Sequence, residues 1–261
     1  MTQHHVDVAL VDATKKVTGK ELSRARAVLQ KRLRRDFAPI WGVSATIEIC
    51  ASRDVPKEAW QVTIKDKLQV GALTIHTADK GKPYAQVLYG PDWVHSLSHS
   101  LVEMLVDPFG NRLATGPCPQ KDHKHDVQFL VEICDPCTTY KFAYEIDGIR
   151  VSDFCTPDYY QKKPSGARYS FRNAFSKPFQ LLRGGYFTWQ EDGAWWQRQW
   201  LSGEAQTVSF GPVQSTTSSR RQKVSVQLLM LSQIKRGQQE RPRNIQTLIE
   251  ELIHDYGAPS L

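Results

Sequence analysis

The sequence predicts an α+β fold: a mixed β-sheet packed on a long N-terminal helix and on a second helix at Trp93–Asp107, with additional β-hairpins later in the chain. Three observations lead there. Helical three- and four-residue apolar spacing marks a stretch beginning near Thr18, and a second helix fits between Asp92 and Pro108. Short alternating or apolar runs lie before and between them. Two Asp-Gly pairs, Asp147-Gly148 and Asp192-Gly193, each sit between strand-like runs, the favoured sequence of a two-residue hairpin turn.

Val6 to Val11 is a short apolar run that suits a buried strand. Thr18 with Glu21 forms a capping-box pair, and Leu22, Ala25, Leu29 and Leu33 then make one apolar stripe. The other faces of this helix carry Lys20, Arg24, Arg26, Lys31, Arg32, Arg34 and Arg35, the strongest basic patch in the chain. Ala45 to Cys50, Trp60 to Lys65, Gly71 to His76 and Tyr84 to Tyr89 read as strands. The second helix follows Pro91-Asp92 and stops at Pro108. Beyond a Gly/Pro-rich connection, Val127 to Ile133 is a strand, Tyr140–Ile146 and Ile149–Phe154 flank the first Asp-Gly turn, and Tyr186–Trp200 folds about the second. Gln214 to Arg221 is a Ser/Thr/Arg-rich break, followed by an amphipathic helix through Ile245, Leu248, Ile249, Leu252, Ile253 and Tyr256. The expected organisation is one domain over 1–213, then a linker and C-terminal helix over 214–261.

The 261 residues are 40% hydrophobic and 23% charged, which suits a folded chain with a sizeable core and excludes wholesale disorder. No apolar run approaches the ~20 residues of a membrane span. The first residues lack the charged and apolar regions of a secretory leader, and five cysteines are too few for a disulfide framework. The expected location is therefore the cytoplasm, with export by a route that reads no such leader left open. The net charge of +7 is dispersed, so solvated surface accounts for most of it.

The Trp93–Asp107 helix carries the chemistry. His99 and Glu103 are four residues apart, as are His95 and His99, and Glu103 and Asp107. Residues at that spacing share a helix face and can grip one metal ion. Each such step drifts by roughly 40°, so two of these side chains meet one ion comfortably while His95, Glu103 and Asp107 together would be strained. One imidazole with one or two carboxylates suits catalytic zinc, which takes three protein ligands and keeps one position for water. In zinc peptidases a glutamate after the first histidine is the general base. Here that position is Ser100, or Ser96 if His95 and His99 are the pair, and a serine hydroxyl does not take a proton from water near neutral pH.

The chain also carries Arg35-Asp36-Phe37-Ala38-Pro39-Ile40-Trp41-Gly42, Gly71-Ala72-Leu73-Thr74-Ile75-His76 and Ser98-His99-Ser100-Leu101-Val102-Glu103-Met104-Leu105-Val106-Asp107-Pro108. Glu132-Ile133-Cys134-Asp135-Pro136, Tyr144 to Phe154 and Gly184-Gly185-Tyr186 follow in order. Over roughly residues 6–200 this resembles a family of bacterial and phage-borne zinc-peptidase-type proteins with the pattern S-H-E-x-x-E-M-L-x-D-P. The resemblance implies a zincin-like α+β fold that binds zinc through His99 and Glu103; Glu132, unless it is a strand-end carboxylate paired with an arginine, is the choice for a third ligand, with Asp135 and His76 as weaker candidates, to which the helix spacing adds Asp107 and His95. Ser100 departs from it, standing where the family has the catalytic glutamate. The departure is either natural, giving a pseudo-enzyme, or introduced to trap an inactive state.

Cys134-Asp135-Pro136-Cys137, with Cys118, His123 and His125 before it, offers a structural zinc site as a second possibility; free thiols are the simpler account. The expected function is therefore that of a zinc metallopeptidase-like protein, inactive or weakly active. The alternative is a non-catalytic module that grips a peptide or protein on the same scaffold, with Tyr186, Phe187, Trp189, Trp195, Trp196 and Trp200 as a recognition surface or, more simply, as core. Nucleic-acid binding through the basic helix ranks last, because no aromatic residue interrupts the stripe and no binding motif accompanies it.

Overall fold

In the computed structural model, the described residues are 4–68, 73–166, 168–200 and 203–212. The Ser/Thr/Arg-rich break, the C-terminal amphipathic helix and the Gly71-Ala72 pair expected to begin a strand lie outside them. The fold is mixed α+β.

The first sheet contains β1 (His4–Asp12), β2 (Val43–Ile49), β3 (Trp60–Lys65), β4 (Thr74–Asp79) and β5 (Lys82–Leu88) in the order β2-β1-β3-β5-β4. It is mixed: β1 runs parallel to β2 and β3, β3 parallel to β5, and only the edge strand β4 is antiparallel. The central position of β1 explains its run of apolar residues, since Val8 to Val11 are all buried.

Helix α1 (Gly19–Arg32) opens with the capping box of Thr18 and Glu21 in place. Its apolar stripe joins Val6, Val8 and Leu10 of β1 in one cluster with Leu97, Leu101 and Met104 of the later helix. The helical path does not stop at Arg32. A π-turn over Leu33–Phe37 and a short α2 (Ala38–Trp41) carry it to Gly42, whose φ of 70° suits the left-handed end of a helix. The basic stripe is less free than its sequence suggests. Arg26 pairs with Glu48, Lys31 with Asp147 and Arg35 with Asp36. Arg32, expected on an outer face, is instead fully buried. Its guanidinium donates to the Ser98 carbonyl, to the Ser152 carbonyl at 2.7 Å and to the Tyr144 hydroxyl at 3.2 Å. Tyr144 in turn donates to Asp36 at 2.9 Å, so the charge is answered through a relay.

Helix α3 (Trp93–Val106) ends where expected, ahead of Pro108. Arg32 bridges α1 to α3 directly, and both helices join one core cluster with β1, β3 and β5. No helix among the described residues is long and apolar enough to cross a membrane.

The second sheet is antiparallel throughout: β6 (Leu113–Pro117), β7 (Asp126–Leu130), β10 (Tyr186–Glu191), β11 (Ala194–Gln199) and β12 (Gln206–Pro212), in the order β12-β11-β10-β7-β6. β8 (Tyr144–Ile146) and β9 (Ile149–Val151) form a separate hairpin. Both Asp-Gly turns have positive φ at both residues, as a type I′ turn requires. β6 and β12 had no counterpart in the sequence reading. β7 is shorter than the expected Val127–Ile133, and β9 shorter than Ile149–Phe154. In each case the backbone leaves its strand to bond α3: Cys134 N–H donates to Glu103 Oε1 at 3.0 Å and Ser152 N–H to Ser98 Oγ at 2.9 Å. Phe187, Trp189 and Trp195 are buried, whereas Tyr186, Trp196 and Trp200 are half-buried. Trp196 stacks on Trp189 at 6.4 Å, so this aromatic group is largely core.

Candidate metal centre

Four segments converge beneath α3. The helix presents His99 and Glu103 one turn apart, with His99 Nε2 2.9 Å from Glu103 Oε2. The edge strand β4 places His76 against the same carboxylate, its Nδ1 3.6 Å from Glu103 Oε2 and its Nε2 3.4 Å from Glu132 Oε2. Glu132 sits in the bend after β7. Asp135 opens a 3₁₀ turn, Asp135–Cys137, and its Oδ1 is 3.2 Å from His99 Nε2.

Donor atoms of Glu103, Glu132 and Asp135 lie within 4.8 Å of one another, as do those of His99, Glu103 and Cys134, and those of His76, Asp107 and Glu132. Asp107 also does structural work at the helix end, accepting the N–H groups of Asn111 and Arg112 at 3.0 Å each. His95 stands apart from these groups and packs on the Tyr140 ring at 4.7 Å. Burial, aided by the neighbouring His99 charge, lowers its pKa to about 3, so it is a neutral core histidine. Among the described residues Glu132 pairs with no arginine; its neighbour is His76. Ser100 is buried and its Oγ makes no hydrogen bond.

Two participants have other roles in the sequence analysis, Cys134 as a structural-zinc ligand and Tyr186 as part of an aromatic surface. Cys134 supplies the N–H that holds Glu103 Oε1, and its own sulfur lies at ligand spacing from His99 and Glu103. Tyr186, at the start of β10, hydrogen-bonds the Asp135 carboxylate through its hydroxyl. The Gly184-Gly185 pair before it was the available signal. A Cβ on Gly185 would stand 2.4 Å from the Pro136 carbonyl oxygen and 2.9 Å from that of Asp135. Only glycine lets β10 approach the Asp135 turn that closely.

The electrostatics follow from burial. Burial opposes charge on His99, but the adjacent Glu103 and Asp135 outweigh it and raise its pKa to about 10. Burial likewise works against ionised Glu103, and the charge of His99 overcomes it, leaving this carboxyl below its ordinary value. Glu132 has no such compensation: burial, then Glu103, pushes it well above the carboxylate range. The same two causes raise Asp135 to about 7. Burial lowers His76. Without a cation, protons on His99, Glu132 and Asp135 offset the charge of the carboxylates.

The donor set fits a metal ion. Glu132 Oε1 and Oε2, Glu103 Oε2 and Asp135 Oδ1 are all buried and make no hydrogen bond among the described residues. They stand close to imidazole nitrogens without the alignment of a donor and its acceptor. Ligands aimed at a shared point have this relation, and buried carboxylates left so would otherwise be costly.

The cysteines are free among the described residues, and the five-residue zinc site considered from sequence does not form. Cys134 and Cys137 belong to the main core, whereas Cys118 packs against the second sheet. Compared with family models, curated proteins and solved structures, the chain matches none.

Proposed function

We propose that this chain is a zincin-like metal-binding protein that holds zinc through His99, Glu103 and a carboxylate from the Glu132–Asp135 segment, on a peptidase-type scaffold whose hydrolytic step is lost or slow. The observation that carries this reading is the set of four buried carboxylate oxygens, on Glu103, Glu132 and Asp135, that lack hydrogen bonds. Zinc in such a setting supplies a Lewis acid and lowers the pKa of a bound water to ~7. Around it, His99 and Glu103 provide a face of α3, Cys134 N–H fixes the Glu103 carboxylate, and Tyr186 fixes Asp135.

Ser100 supports the non-catalytic side of the proposal. It follows His99, where the resemblance places the general base; the residue is 1% exposed and its hydroxyl has no hydrogen bond among the described residues. A serine there cannot accept a proton from water as a carboxylate does. The centre is also nearly closed, with the His99 side chain 7% and that of Glu132 5% exposed. The serine favours a second reading on the same scaffold, in which a peptide or protein partner is gripped rather than cut.

Zinc analysis of the purified chain tests the metal. One zinc at the α3 centre is expected, so that His99→Ala, with the fold retained by circular dichroism, binds one ion fewer per chain than wild type; a zinc content that His99→Ala leaves unchanged overturns the reading. Ser100→Glu then separates the two functions. Peptide hydrolysis gained by a zinc-loaded variant supports the peptidase scaffold, and none gained by a folded, zinc-loaded variant supports the binding module.

A further inference from the structure

A second group of metal-type side chains lies on the other sheet, independent of the centre under α3. The connection between β6 and β7 folds back on itself, with Cys118 N–H donating to the His125 carbonyl at 3.0 Å and His123 N–H to that of Gln120 at 3.2 Å. This turn sets Cys118, His123 and His125 on one side. β10, which pairs with β7 through Trp189 and Gln190, ends there with Glu191. The Glu191 side chain is only 3% exposed.

Three donors converge on one of its oxygens. Glu191 Oε1 lies 3.4 Å from Cys118 Sγ, 2.5 Å from His123 Nδ1 and 2.8 Å from His125 Nε2. The other oxygen is fixed separately, accepting from Gln120 Nε2 at 2.9 Å and from Trp189 Nε1 at 3.1 Å. That division of labour is how outer partners orient a ligating carboxylate. One sulfur, two imidazole nitrogens and one oxygen, all within 4.8 Å of one another, make a four-donor set. With ligand bonds of about 2.0–2.3 Å, neighbouring donors of a tetrahedral zinc stand roughly 3.3–3.7 Å apart. The Cys118–Glu191 separation already fits, and the two imidazoles need to open by under ~1 Å on side chains about half exposed.

We propose that Cys118 Sγ, His123 Nδ1, His125 Nε2 and Glu191 Oε1 form a second, structural site for a zinc-class divalent ion, which pins the β6–β7 connection to the end of β10. Four protein ligands leave no open position, so the ion holds the loop and takes no part in catalysis. Loading releases the Cys118 thiol proton to solvent as the thiolate–metal bond forms.

Site-resolved alkylation tests this on the intact chain, with Cys50, also partly exposed, as internal reference. Zinc is expected to slow iodoacetamide labelling of Cys118 at least ~10-fold relative to a chelator-treated sample, because a metal-bound thiolate is withdrawn from reaction. Cys50 labelling should be unchanged. The protection should vanish in the His123→Ala/His125→Ala double variant and persist in His99→Ala, which separates this site from the centre under α3. Equal labelling of wild-type Cys118 with and without zinc overturns the proposal and leaves a hydrogen-bonded His–Glu cluster.

Discussion

His99 Nε2 lies 2.9 Å from Glu103 Oε2 across one turn of α3, both side chains buried, and each sets the charge of the other. Everything else in the centre is arranged around that pair: His76 on the same carboxylate oxygen, Asp135 on the same imidazole nitrogen, Cys134 N–H on the opposite carboxylate oxygen.

The pair makes the metal-free chain pH-sensitive. His99 rises from 6.5 to about 10 on folding, so its contribution is fully present below 6.5 and lost as pH rises through about 10. Asp135, raised from 3.8 to about 7, likewise favours the folded state at lower pH, its contribution fading as pH rises through about 7. Glu103 is lowered, so its share is present above 4.5 and lost as pH falls through its folded value. In chelator, Tm should fall from about pH 6.5 to about pH 9, whereas below 6.5 the neutral, buried His95 and His76, both lowered, oppose the fall. With zinc the fall should be much smaller, since the ion replaces those protons. Melts that show the same slope with and without zinc would count against this assignment.

Tyr186→Phe removes the hydroxyl that holds Asp135 while keeping the ring. Zinc affinity should drop ~10–100-fold, the usual cost of an outer partner, with little change in Tm. Competition against a chromophoric chelator measures it, and unchanged affinity would show that Asp135 is not a ligand.

Gly185→Ala forces a Cβ onto two backbone carbonyls, which cannot swing aside as a side chain would. A loss of ~1–3 kcal/mol in urea unfolding is expected, accompanied by weaker zinc binding because the Asp135 turn must move. Gly193→Ala is the contrast. It meets nothing within 4 Å but has a φ of 70°, so it should cost about 1–2 kcal/mol from backbone strain alone and leave zinc affinity at the α3 centre intact.

Arg32→Met tests the relay between the helices. It strands the Ser98 and Ser152 carbonyls and leaves Asp36 with Tyr144 and the half-exposed Arg35. Removing one member of a buried charged network costs about 3–5 kcal/mol, read as a shift in urea midpoint. A shift below ~1 kcal/mol would mean that water replaces the guanidinium.

Much of the local structure is legible in the sequence. Thr18 and Glu21 announce the start of α1, Pro108 its counterpart at the end of α3, and the two Asp-Gly pairs their hairpins, because each acts through neighbours a few residues away. β6 and β12 were not legible. β6 holds Gly116 and Pro117 in five residues, and only its pairing with β7 makes it a strand. Arg32 was misread for the same reason: its partners Ser98, Tyr144 and Ser152 are distant in sequence, so nothing local distinguishes it from Lys31 or Arg34.

By itself the sequence determined the local pattern: where α3 begins and ends, that His99 and Glu103 share a face, and that serine follows the histidine. Helical periodicity alone settles those relations, since residues four apart must be neighbours. Only the tertiary structure decided what meets them. It brought His76 from an edge strand, Glu132 and Asp135 from the bend after β7, and Tyr186 from a strand that two glycines allow to come close. It also took Cys134 and Cys137 away from Cys118 and supplied Glu191 in their place. Those choices depend on strand order and on which backbone can approach which, and neither is encoded in the spacing of any one segment.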